Sequence, residues 1–531
     1  MSSATLTLDQ DLSRPAVNPW LIAVVVAMAA FMEVLDTSIA NVALPYIAGD
    51  LAASNDQSTW VLTSYLVSNA IVLPISGWLA GALGRKRFFM GCLVVFTISS
   101  LLCGLAPSLG LLLLFRVLQG AGGGGLQPMA QAILADTFPP HQRGLAFALY
   151  GITAVMAPTI GPTLGGWITF NYSWRWIFFI NLPVGVVTLF LVYRLVQDPP
   201  YLSRLRRAGV KLDYVGIALL ALGIGALQIL LDKGQEDDWF GSHFILTLAV
   251  VAAVCLVSLV VWEWRHPAPI VDVKLFKSFN FASANLMFFM LGVLLFSSLV
   301  MMPLFLQTLL GYTAQIAGFA LSAGGLVLLI EMPLMGQLTT KVQARYLIAL
   351  GWLFLALGML YSTQQIDLLI SFRAALRLRV VQVIGIGFLF VPITLVAYIG
   401  VPADKNNAVA GIVNFMRNMG SSVGTSLVTT MLARRSQYHQ EILVGHLIPG
   451  SPAFQGATGG LAHLLAHSPA GPPGGTVLAY ARIYRGLQVQ AASLAYIDTF
   501  KVLAVIAGIM FFLAFILKKN SPGGGGEVAV G

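Results

Sequence analysis

Charge is what this chain has least of. Aspartate, glutamate, lysine and arginine make up 10% of its 531 residues, against 57% hydrophobic. The surface of a soluble globular protein takes about a quarter charged residues. A water-solvated fold is therefore excluded, and a polytopic membrane protein is expected. The net charge of +9 does not point to nucleic acid. The basic residues sit in short clusters between apolar runs, as loops at a membrane surface do.

Cysteine and histidine are scarce too, at 3 and 7. Cys92, Cys103 and Cys255 lie inside apolar runs and form no C-x-x-C pair. Cys92 and Cys103 fall in one helix about 16 Å apart, too far for a disulfide, and read as packing residues. His463 and His467 form HLLAH, which lacks the glutamate of H-E-x-x-H, so no metal is expected. No G-x-x-x-x-G-K-[ST] occurs. Gly120, Gly122 and Gly125 do satisfy G-x-G-x-x-G, but the run before them is long, carries Arg116 and has no strand–helix alternation around it. A dinucleotide site is excluded on that ground. No Ser-His-Asp, Cys-His or paired-carboxylate arrangement is supported, so neither an enzyme nor a bound cofactor is expected.

What is present is apolar length. A span takes about 20 mostly apolar residues. Fourteen runs qualify, at about 20–44, 58–80, 88–106, 109–135, 143–169, 175–197, 213–232, 242–264, 281–309, 315–338, 346–363, 374–399, 406–433 and 495–517. The expected fold is all-α. Residues 1–18 lack the pattern of a cleaved signal peptide, so the first run reads as an uncleaved helix. With both termini placed in the cytoplasm, the inner segments hold Arg85, Lys86, Arg87, Arg143, Arg194, Arg204, Arg206, Arg207 and Lys211, among others. The short outer loops hold little beyond Arg175, Lys233 and Arg373. That asymmetry fixes the orientation. The longest connection, 434–494, falls outside; its Gly/Pro-rich stretches SPAFQGATGG and SPAGPPGG read as flexible, and the tail SPGGGGEVAVG as disordered.

The sequence also repeats itself. PISGWLAGALGRKRF (74–88) resembles PLMGQLTTKVQARYL (333–347) at an offset of 259, and RVLQGAGGGG (116–125) resembles RVVQVIGIGF (379–388) at 263. Helices 2 and 4 thus match helices 10 and 12. With two helices inserted between them, this gives two six-helix halves in parallel repeat, the plan of major facilitator transporters. The expected division is a 1–18 cytoplasmic segment, a 19–200 half, a 201–279 insertion, a 280–517 half and a 518–531 tail.

Several phrases carry a closer resemblance: LDTSIANVALP (35–45), QSTWVLTSYLVSNAIVLPISGWLAG (57–81), APTIGPTLGG (157–166), NYSWRWIFFINLPVG (171–185) and QAASLAYIDTF (490–500). Across nearly its whole length the chain resembles the fourteen-helix, EmrB-like drug:proton antiporter branch of the major facilitator superfamily. The resemblance implies export of amphipathic small molecules across a bacterial inner membrane, with the proton gradient as energy source. It also implies pairing with a periplasmic adaptor and an outer-membrane channel. APTIGPTLGG matches the branch's antiporter motif. One departure stands out in the superfamily's loop motif, about G-x-L-A-D-R-x-G-R-K. Here Gly77, Gly84, Arg85 and Lys86 are kept, but Gly81 replaces the acid.

The candidate chemistry lies on polar stripes. Glu33, Asp36, Thr37 and Asn41 share one face of the first helix. A charge at membrane depth costs at least about 2.5 kcal/mol and faces a bundle interior or aqueous cavity. Asp36 is the expected proton site and Glu33 its helper. Arg116 lies at the same depth, about 12 Å from the outer end; it is either the coupling partner of Asp36 or a structural arginine. Asn414, Arg417, Asn418, Ser421 and Thr425 form a second stripe on helix 13. Trp60, Tyr65, Gln119 and Gln127 are further cavity candidates. Glu331 is either a second acidic site or an interfacial acid with a cytoplasmic base. Gly120 and Gly122 imply a close, deformable helix contact. Pro158, Gly161, Pro162, Gly165 and Gly166 imply a bent helix packed between the halves. A proton-coupled importer of metabolites or peptides, and a transport-dead sensor or scaffold, are the alternatives.

Overall fold

The computed structural model describes residues 18–199, 213–448, 450–465 and 471–518, and among these every regular element is helical. The N-terminal helices are α1 (Pro19–Asp50), α2 (Asn55–Leu83), α3 (Arg85–Leu105), α4 (Leu109–Gly123), α5 (Leu126–Thr137), α6 (Arg143–Asn171), α7 (Trp176–Phe179) and α8 (Asn181–Leu195). Next come α9 (Tyr214–Lys233) and α10 (His243–Arg265). The C-terminal set is α11 (Phe279–Thr308), α12 (Ala314–Leu338), α13 (Ala344–Gln365), α14 (Phe372–Tyr398), α15 (Asn406–His446), α16 (Pro452–Leu465) and α17 (Gly471–Ala514).

Among the described residues thirteen helices are long and apolar enough to cross a membrane, counting α4–α5 and α7–α8 each as one. The expected span not among them is the thirteenth, 406–433, where α15 lies. It is long enough, but its Asn406, Asn407, Asn414, Arg417, Asn418, Ser421 and Ser422 make it too polar to be counted with them. Below, the end holding Asn18 and Leu517 is called the terminal end, and the opposite one the far end.

The expected fourth helix is broken where its glycines are. α4 stops at Gly123 and α5 starts at Leu126. Each of the five glycines lets a neighbour touch its backbone. A Cβ on Gly120 would stand 2.4 Å from the Tyr65 carbonyl, on Gly123 2.4 Å from the Tyr65 hydroxyl and on Gly124 2.8 Å from the Asn69 carbonyl, all on α2. A Cβ on Gly122 or Gly125 would strike α3 at Phe96 N (2.6 Å) or Cys92 Sγ (2.4 Å). Small residues are what close helix packing in a membrane requires.

The inserted pair packs on itself, and α9 also lies against α2 and α15. In α10 only 17% of the apolar window is buried, so it faces lipid. The 434–494 connection departs from expectation. α15 runs unbroken to His446, SPAFQGATGG is in α16 from Pro452, and the Gly/Pro stretch ends in α17 from Gly471. At 41 and 44 residues, α15 and α17 are about 60 and 65 Å long, twice the apolar thickness of a bilayer. Their far ends therefore stand clear of it, and where the two helices leave it Arg435 and His439 pair with Asp498 at 2.5 and 2.7 Å. Arg204, Arg206, Arg207, Lys211, His467 and the expected tail lie outside the described residues.

Candidate functional site

Between the two sets lies a cavity of about 1150 Å³. It opens at the far end among Tyr46, Phe170, Gln307 and Gln315, and ends midway at Glu33, Asn69, Gln127 and Arg417. Below it the halves close on each other. Gly77 of α2 meets the Ala408 backbone, where a Cβ would stand 2.8 Å away, and Gly144 of α6 meets the Gly336 carbonyl, where a Cβ would stand 2.6 Å away. Tyr150 donates to Asn414 Oδ1 (2.7 Å), and Asn414 Nδ2 donates to Gln131 Oε1 (2.5 Å). Phe147 stacks on Tyr398 at 5.5 Å.

The loop motif sits in this closed end. Gly84 ends α2 with φ +92°, a conformation glycine adopts without strain. Arg85 donates to the Ala132 carbonyl (3.0 Å) and pairs with Asp136. Asn406 of the other half donates to the second oxygen of Asp136 (2.6 Å). With Gly81 in the acid's usual place, a carboxylate on α5 bridges the halves here. The Lys86 backbone N–H donates to Asp198 (2.7 Å) and its ammonium to the Tyr193 carbonyl (2.7 Å).

The two acids of α1 have different surroundings. Asp36 is 2% exposed and lies outside the cavity lining. Its Oδ2 accepts from Arg116 Nη1 (2.6 Å), and its Oδ1 accepts from Gln119 (2.9 Å) and Asn181 (2.7 Å). Arg116 is 0% exposed; it also donates to the Val61 carbonyl (3.0 Å) and lies 4.3 Å over the Tyr65 ring. Glu33 borders the cavity. It accepts from the Tyr65 hydroxyl (3.0 Å), from Asn69 (3.0 Å) and from Gln127 Nε2. Gln127 Oε1 in turn accepts from Arg417 of α15. Glu33, Gln127 and Arg417 thus form a hydrogen-bonded chain from one half to the other. Tyr65 joins the two acids, with its ring under Arg116 and its hydroxyl on Glu33.

Thr37, Asn41, Tyr65, Gln127, Arg417, Asn418, Ser421 and Thr425 line the cavity. Three expected positions do not. Trp60 lies under the Lys233 ammonium at 5.5 Å, outside the lining, because α9 covers that face of α2. Gln119 is turned toward Asp36, and Asn414 belongs to the seal below. Glu331 packs on α14, where a Cβ on Gly387 would stand 2.6 Å from its carboxyl carbon; among the described residues it has no side-chain partner, so no base is bonded to it as the second of its two readings required. In α6, Gly161 and Gly165 face Ser38 and Ile39 of α1 in the same half. The other half is met on the opposite face, by Thr163 on Gly318, while Pro158, Pro162 and Gly166 border the cavity. Sequence reasoning missed Asn69, Tyr150, Asn181, Gln228 and Asp232. The last two reach the cavity from α9, with Asp232 bonded to Thr63. The one available signal was an acid at the end of an otherwise apolar helix.

A membrane-depth cavity between repeated helix sets, open at one end and sealed at the other, is the arrangement of a secondary transporter that works by alternating access. The chain belongs to the major facilitator superfamily, whose family model matches residues 26–425. It is 40% identical to the multidrug export protein EmrB of Haemophilus influenzae over 82% of this chain and 84% of that one. It is 39% identical to EmrB of Escherichia coli K12 over the same shares. It is 39% identical to the fatty acid resistance protein FarB of Neisseria gonorrhoeae, over 80% and 83%. The proton:xylose symporter XylE shares the fold with a TM-score of 0.61 over 96% and 97% of the chains at 15% identity. The protein is thus a multi-pass membrane transporter of the EmrB-like kind and not an enzyme.

Proposed function

We propose that this protein exports amphipathic small molecules across a bacterial inner membrane in exchange for protons, with both termini in the cytoplasm. The observation that carries this reading is the Glu33–Gln127–Arg417 chain, which ends a large, mostly apolar cavity on a carboxylate bonded across the halves. A proton arriving at Glu33 removes the charge that Gln127 bonds and so weakens the link to α15. Tyr65 passes the change to Asp36 and Arg116, whose pairing holds α1 against α4 until the acid is protonated. A ligand or proton that favours one arrangement shifts the population toward it. The Lys and Arg asymmetry supports placing the terminal end in the cytoplasm, which makes the cavity periplasm-facing in this structure. The similarity to EmrB and FarB supports drugs or fatty acids as the substrate class.

Everted vesicles holding the protein should release luminal protons when substrate is added. An importer would move substrate the other way, and a sensor would produce no flux. If Glu33→Gln and Asp36→Asn both leave substrate-evoked proton flux unchanged, the mechanism is wrong. The helical projection of α15–α17, with Tyr438, Ile442, Tyr480 and Tyr484 exposed, supports docking of a periplasmic adaptor that leads to an outer-membrane channel. Deleting 440–485 should then lower export in cells and spare transport in vesicles; equal loss in both would refute docking.

A further inference from the structure

The arginine of the second repeat has no part in the reading above. Arg379 of α14 is 0% exposed. Its Nη1 donates to Ser298 Oγ (3.1 Å) and Gln382 Oε1 (3.5 Å), both neutral. Among the described residues its Nε and Nη2 have no partner, and no carboxylate pairs with it. A guanidinium cannot shed its proton, and a buried charge without compensation is strongly disfavoured. Nε and Nη2 form one edge of the guanidinium, the fork that binds an anion with two parallel N–H bonds.

The first repeat indicates what is missing. Arg379 and Gln382 follow Arg116 and Gln119 by 263 positions, and Ser298 and Ser362 follow Asp36 and Ser100 by 262. The contacts correspond as well. In each half the arginine Nη1 meets the glutamine three residues on and a residue of the half's first helix. In α1 that residue is Asp36; in α11 it is Ser298. One negative charge has been lost, and with it the bulk of a carboxylate group. Ser298 donates its own proton to the Leu295 carbonyl (2.9 Å), so it accepts from Arg379 at Nη1. Nη2 is open in both arginines, but the Nε that Arg116 gives to the Val61 carbonyl has no partner in Arg379, so only the second repeat has the whole Nε/Nη2 edge free beside an uncompensated charge.

We propose that Arg379 binds a small monovalent anion, chloride, which supplies the negative charge that the second repeat lacks, on a different edge of the guanidinium from the Nη1 that Ser298 occupies. Its unpartnered Nε/Nη2 edge holds the ion. The site is structural and separate from the cavity, whose lining includes neither Arg379 nor Ser298. Glu331 is an acid on the same α12–α14 contact, where Gly324 of α12 meets Arg379. It packs at Gly387, eight residues and about 12 Å along α14 from Arg379.

The test is thermal unfolding of the purified, detergent-solubilised protein as chloride replaces gluconate at constant ionic strength and pH. Tm should rise with chloride and saturate, as binding to the folded state requires, and bromide should act likewise. Ser298→Asp supplies the carboxylate internally; it should raise Tm in gluconate and abolish the chloride response. Arg379→Met should abolish the response as well. A chloride-independent Tm in the unaltered protein would overturn the proposal and leave Glu331 as the counter-charge. An undiminished response in either variant would also overturn it, because the halide would then act elsewhere.

Discussion

Replacing Asp36 by asparagine separates a structural ion pair from a mere neighbour. The substitution keeps shape and removes charge. Arg116, 0% exposed, would retain the Val61 carbonyl, Gln119 Oε1 and the Tyr65 ring, all neutral. The new amide nitrogen would face a donor whichever way it turned, since Asp36 accepts from Arg116 on one oxygen and from Gln119 and Asn181 on the other. Breaking a buried pair by removing one partner costs about 3–5 kcal/mol. Glu33→Gln is milder. Glu33 has no cationic partner at ion-pair distance, and the introduced amide oxygen can still accept from Tyr65 and Asn69. Only the contact with Gln127 becomes donor against donor, a loss of about 1–3 kcal/mol. Unfolding by SDS in mixed micelles measures both. Asp36→Asn combined with Arg116→Met should recover much of the loss, giving a coupling energy above about 1 kcal/mol. A loss below about 1 kcal/mol for Asp36→Asn, or purely additive effects in the double variant, would refute the assignment of Arg116 as a cation dependent on Asp36.

Gly120→Ala puts a methyl group 2.4 Å from the Tyr65 carbonyl; overpacking of this kind costs about 1–3 kcal/mol and should lower Tm and yield, read by fluorescence-detected size exclusion. Gly77→Ala pushes against the Ala408 backbone at the sealed end and should raise the fraction open on that side, measured as faster labelling of a cysteine placed there. Asp232→Asn removes a cavity-facing charge bonded to Thr63 and should weaken cationic substrates relative to neutral ones in a competition assay. Trp60→Ala, outside the lining, should leave substrate affinity within about twofold; a larger loss would place Trp60 on the substrate path.

Much of this was legible in the sequence. Ten per cent charge excludes a solvated surface, and the apolar runs gave the order of the helices and thirteen of the fourteen expected spans, because each span must satisfy its own backbone in lipid. The equal depth of Asp36 and Arg116 followed from counting residues along two helices. The repeat at Arg379 was visible as letters. Helical periodicity assigns residues to a face, but it cannot say what that face meets. Glu33 and Asp36 share a stripe, yet one ends at the cavity and the other is enclosed by α4 and α8, because α1 runs between them. Trp60 was read as cavity-lining, and α9 lies over it instead. The Gly/Pro-rich connection was read as flexible from composition, while its described residues 452–465 and 471–494 are helical, with α16 packed on α17. Only the tertiary structure decided that Ser298 stands where Asp36 does. The two are far apart in sequence and differ in chemistry, and their equivalence appears once each is seen against the same atom of its arginine.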